Sequence, residues 1–92
     1  MDLNECRKEI DLLDKELVKL FCRRLGRAKE AGAAKAARGL PVRDPSREEE
    51  KLESVSAMTE EAERPSIREL YSAIFRITRA WEEEQPVPGE KN

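Results

Sequence analysis

Helical periodicity runs unbroken over residues 3–38, more than a third of this 92-residue chain. Leu3, Cys6, Ile10, Leu13, Leu17, Leu20, Arg24, Ala28, Ala31 and Lys35 recur at three- and four-residue steps, the spacing of a single helix face. Asp2 or Asn4 supplies an N-cap. Gly26 and Gly32 weaken the pattern by roughly 1 kcal/mol each without breaking it. A helix this long is unusual in a small globule. It suggests an equally long antiparallel partner, such as the same helix of a second chain.

The rest of the chain reads as two shorter helices. Residues 38–43 form a loop, because Gly39 can stop the first helix and Pro41 discourages its continuation. Asp44 then caps a second helix with Pro45 in its first turn. Its apolar line is Leu52, Val55, Met58 or Thr59, and Ala62, with Glu48 one turn before Leu52. Pro65 and Ser66 punctuate again, and the third helix is expected over residues 66–84. Its stripe is Ile67, Leu70, Tyr71, Ile74, Ile77, Thr78, Trp81 and Glu82. Residues 85–92 read as a flexible C-terminal tail or a linker. With no strand signal and no repeat, the expected fold is all-α in one domain.

Composition makes the long helix's need for a partner sharper. Only 38% of residues are hydrophobic and 41% are charged, too little apolar surface for a large monomer core. Oligomerisation is the usual remedy. The 18 basic and 20 acidic residues are mixed along the chain and sum to −2, without the basic stripe of a nucleic-acid binder. No apolar run is long enough to span a membrane, and the N-terminus lacks a signal-peptide stretch, so a cytoplasmic location is expected. Cys6 and Cys22 on one helix lie far beyond disulfide reach and are expected as reduced, buried thiols. Histidine is absent, no cysteine pair has zinc spacing, and no glycine-rich phosphate loop occurs. Any chemistry is expected to proceed without histidine and without a metal.

The informative residues are the polar ones on apolar lines. Arg24 and Lys35 are eleven residues apart, about three turns, and share one face of the first helix. Thr78 and Glu82 are one turn apart on the third helix's stripe, and Glu48, with Arg47 beside it, falls on the second's. An unpaired buried charge is costly. These groups therefore pair internally, such as Arg24 with Glu48 or Glu82, or snorkel to water, or surround a polar ligand. Several cations with a few acceptors suit a small ligand carrying two carboxylates and a hydroxyl, and Arg binds carboxylate through two parallel hydrogen bonds.

Over residues 3–85 the sequence resembles the all-helical, type II chorismate mutases. The resemblance is carried by Arg7-Lys8-Glu9-Ile10, Leu13-Asp14, Leu17, Arg23-Arg24, Lys29-Glu30-Ala31-Gly32 with Lys35, and Pro41-Val42-Arg43-Asp44-Pro45-Ser46-Arg47-Glu48. The third helix matches mainly by pattern. The resemblance implies a helical domain over residues 1–85, an intertwined homodimeric bundle of three-helix chains, and two active sites that take chorismate. In that frame Arg24 binds one substrate carboxylate, and Arg7 reaches into the partner's site to bind the other. Lys35 contacts a carboxylate and the ether oxygen of the breaking bond. Glu48, with the backbone of Asp44, holds the ring hydroxyl. Arg47 supports the carboxylate network and Thr78 helps orient a carboxylate. Glu82 falls where the family places a second ether-oxygen donor.

A pericyclic rearrangement of chorismate to prephenate needs no nucleophile, metal or cofactor. It needs the side chain held over the ring and negative charge stabilised on the ether oxygen. Glu82 donates there only when it carries a proton, so the rate is expected to fall with rising pH. Rival readings are an isochorismate-pyruvate lyase on the same fold, the mutase-like domain of a bifunctional shikimate-pathway enzyme, and a non-catalytic helical interaction module. Each residue also has a plainer role. Arg7 can pair with Asp11 at i+4. Trp81 suits packing rather than ligand stacking, and Asp44 is a helix cap in any case.

Overall fold

A computed structural model describes residues 1–84. Residues 85–92, read above as a tail, lie outside the described residues. Three α-helices and one short 3-10 turn make up the fold, with no strand among the described residues. The first, α1, spans Leu3–Ala37. Asp2 caps it, its carboxylate accepting from the Glu5 backbone N–H at 2.8 Å. Neither Gly26 nor Gly32 interrupts it.

Gly39 ends α1 in the left-handed region at φ 68°. The Gly39 N–H donates to the Ala36 carbonyl and the Leu40 N–H to the Lys35 carbonyl, the paired bonds of a Schellman stop. The chain then turns into α2, Pro45–Ala57. Asp44 is its N-cap, accepting from the Arg47 N–H at 3.1 Å, and Pro45 stands in the first turn, where no N–H is needed.

The connection to the last helix differs from the sequence expectation. The second helix stops at Ala57, so Met58 and Ala62 leave its apolar line; Met58 is exposed and Ala62 lies in the 3-10 turn Glu61–Glu63. The Glu60 N–H donates to the Glu63 carboxylate, closing that turn. The last helix, α3, is Arg64–Glu83 and begins ahead of Pro65 rather than after it. A proline in the first turn costs no helical hydrogen bond, so Pro65 starts this helix instead of separating two.

Both α1 and α2 pack against α3, and not against each other. The core is small: Val55, Ile74 and Phe75 are its buried apolar side chains, with Ser56 and Thr78 buried beside them. The N-terminal half of α1 projects beyond this core. Leu13, Leu17 and Leu20 remain 57–60% exposed, and Leu3, Ile10, Leu12 and Val18 are exposed with them. Cys22 is exposed and Cys6 half-buried, contrary to the expectation of two buried thiols. Cys22 lines a groove between α1 and α3 with Leu17, Leu70, Ile74 and Ile77. No helix among the described residues is long and apolar enough to cross a membrane.

Candidate active site

The C-terminal half of α1, the start of α2 and the end of α3 enclose an open cavity of about 370 Å³. From α1 it takes Arg24, Ala28, Ala31 and Lys35, each three or four residues from the next and so on one face, with Arg27 at its edge. The loop gives Val42 and the cap residue Asp44, α2 gives Arg47, Glu48 and Lys51, and α3 gives Phe75, Thr78 and Glu82. Five cations face three carboxylates across this space.

The cations are not equally engaged. The Lys35 ammonium donates to Glu82 Oε1 and to the Val42 carbonyl, each at 2.7 Å. It is a half-buried group with three donors, so one N–H remains uncommitted. Glu82 is the more enclosed partner, its side chain 11% exposed against 27% for Lys35. Arg24 forms neither of the internal ion pairs weighed for it. Its guanidinium lies 5.8 Å from the centroid of the Tyr71 ring, which orients the fork by cation–π attraction without using its N–H donors. The carboxylates weighed as its partners are held by others, Glu82 by Lys35 and Glu48 by Arg79. The buried Thr78 hydroxyl donates to the Phe75 carbonyl at 3.3 Å, a long bond that leaves its oxygen free to accept.

A protein-family comparison supplies the deciding observation: residues 6–83 match the family model for chorismate mutase type II. The chain belongs to this family. Its curated relatives include a bifunctional chorismate mutase/prephenate dehydratase of Aquifex aeolicus (strain VF5). That protein is 38% identical over 74 residues, which are 80% of this chain and 18% of the relative. The T-protein of Haemophilus influenzae (strain ATCC 51907 / DSM 11121 / KW20 / Rd) is 40% identical over 65 residues, 71% of this chain and 16% of that protein. This chain thus spans less than a fifth of the length of either relative. No solved structure matches it significantly.

Of the residues singled out by sequence, Arg24, Lys35, Asp44, Arg47, Glu48, Thr78 and Glu82 line the one cavity. Arg7 does not. It stands seventeen residues before Arg24, roughly 25 Å along a straight helix, and cannot reach its own chain's cavity. Nor does it pair with Asp11: among the described residues no hydrogen bond or ion pair engages it. Trp81 lies outside the cavity lining, with the Lys29 ammonium 5.8 Å from its ring. Sequence reasoning missed Arg27 and Lys51 on the rim and Arg79 behind it. Lys51 was detectable in principle, since it is three residues after Glu48 and on the same face of α2. Arg79 carried no signal, because its role depends on how α2 is set against α3.

Proposed function

We propose that this chain rearranges chorismate to prephenate, acting as a homodimer with two shared sites. The observation that carries the reading is a cavity with an excess of two positive charges among its lining residues, in which the half-buried Arg24 has no carboxylate partner. That surplus fits a dicarboxylate. Arg24 would take one carboxylate through a bidentate contact. Lys35, with its uncommitted N–H, would contact a carboxylate and the ether oxygen, offsetting the charge that builds as the C–O bond breaks. Glu82, when protonated, adds a second donor at that oxygen. Glu48 and the Asp44 backbone take the ring hydroxyl, Arg47 reinforces the carboxylate network, and Thr78 orients a carboxylate.

The reaction then proceeds by holding the substrate compact, since the electrons shift within it and no protein group bonds to it. The second carboxylate is left for a cation from elsewhere. Arg7 of the partner subunit is that cation in this proposal. The uncovered apolar row of α1 supports the same dimer, for a helix that exposes Leu13, Leu17 and Leu20 in isolation is stabilised by an antiparallel copy.

Incubating the purified chain with chorismate, and separately with isochorismate, tests the reading. Prephenate from chorismate is expected. Pyruvate release from isochorismate without prephenate formation would replace the mutase by a lyase, and no turnover of either would overturn both.

A further inference from the structure

A second ion pair stands at the cavity wall. Arg79 Nη1 donates to both oxygens of Glu48, at 2.8 and 2.9 Å. The two side chains are 26% and 21% exposed, and they join α3 to α2. Glu48 lines the cavity whereas Arg79 does not, so the arginine holds the carboxylate from outside the cavity.

This placement has two physical consequences. A bare carboxylate inside a cavity for a dianion repels the ligand, and Arg79 cancels that charge without occupying ligand space. A carboxylate also has about four lone-pair sites, so the contacts from Arg79 leave positions open for a hydroxyl hydrogen. Cations of the cavity itself stand close to Glu48 along α2. Lys51 lies one turn on along the same face, and Arg47 is adjacent in the chain. Without Arg79, either could swing onto the carboxylate and be withdrawn from the ligand.

We infer that Arg79 is a positioning residue: it neutralises and orients Glu48 for the ring hydroxyl and keeps the cavity's cations available for the substrate's carboxylates. The inference rests on the mutase reading above and deepens it. Arg79 acts through Glu48 alone, so its effect requires the Glu48 charge.

Steady-state kinetics of the full chain with chorismate test this, using Arg79→Gln, Arg79→Lys, Glu48→Gln and the Arg79→Gln/Glu48→Gln double variant. Arg79→Gln is expected to raise KM about tenfold with a much smaller change in kcat, because ground-state and transition-state binding suffer alike. Arg79→Lys retains the positive charge on a shorter side chain that is held less firmly in place, so its KM should rise only about threefold. In the Glu48→Gln background, removing Arg79 should change KM less than about twofold. A merely structural tie between α2 and α3 would instead lower the melting temperature in both backgrounds and leave KM unmoved. If Arg79→Gln does not fold, Arg79→Lys decides alone: KM unchanged in the presence of Glu48 overturns the inference. Equal KM losses with and without the Glu48 charge overturn it too. Turnover by the wild type with these failures removes the role of Arg79 only; no turnover by the wild type removes the mutase reading and the inference together.

Discussion

Replacing Leu13 and Leu17 together by Ala is expected to weaken the proposed dimer by about a thousandfold. Both side chains stay more than half exposed in the isolated chain, at 60% and 57%. Fully burying a leucine stabilises by roughly 1.5–3 kcal/mol, so covering the exposed part is worth about 1–2 kcal/mol. Alanine keeps some of that area, leaving a loss of about 1 kcal/mol per site and about 4 kcal/mol over the four sites of a two-fold dimer. At 1.4 kcal/mol per factor of ten, Kd rises by about three orders of magnitude. Alanine is the strongest helix former, so the change does not act by breaking α1. Sedimentation of wild type and variant across a dilution series reads the Kd, and prephenate formation at each concentration reads the activity. Mass and turnover should fall together on dilution of the variant. A variant that dissociates yet keeps full turnover per chain refutes the shared-site reasoning. A wild type that sediments as a compact monomer at low micromolar concentration refutes the dimer itself.

The other expectations concern single residues. Arg24→Ala and Lys35→Ala should each reduce kcat/KM by at least about a hundredfold, some 2.7 kcal/mol of transition-state stabilisation, while the helical circular dichroism is retained. Survival of activity with a marked gain in stability would mean that these were strained core charges. Glu82→Gln should keep prephenate formation, because an amide can donate a hydrogen bond at that position, while Glu82→Ala should lose most of it. Full turnover by Glu82→Ala would leave Lys35 alone at the ether oxygen. Gly39→Ala should lower stability by about 1 kcal/mol in thermal unfolding, because the φ of 68° that closes α1 strains any residue with a Cβ. No loss would mean that α1 can end by another route.

How much of this was legible in the sequence depended on whether a feature was local. The Asp2 and Asp44 caps, the Gly39 stop and the 35-residue length of α1 follow from neighbours in the chain, and periodicity or capping chemistry reveals them. The polar residues on apolar lines were equally legible, since helical spacing alone puts Arg24 and Lys35 on one face. The α2–α3 junction was misjudged because Pro65 is ambiguous: proline ends one helix and begins another with equal ease. The partners of the cavity carboxylates could not be read at all. Glu48 chooses Arg79 over Arg24, and Glu82 chooses Lys35, through the relative setting of three helices. Arg7 sits at the opposite extreme: nothing in its own chain gives it a role, and only a resemblance pointed to one.

Complementation between two inactive variants tests the central claim, a mutase site assembled from two chains, most directly. Arg7→Ala and Arg24→Ala are each expected to be inactive as homodimers. Mixed under conditions that exchange subunits, they form heterodimers in which one site combines the intact Arg24 of one chain with the intact Arg7 of the other. The second site carries both substitutions. Purified heterodimers should therefore recover about half of the wild-type prephenate formation per chain, as two-fold symmetry requires. Verified heterodimers with no recovered activity would contradict the account, because Arg7 would then not act across the interface.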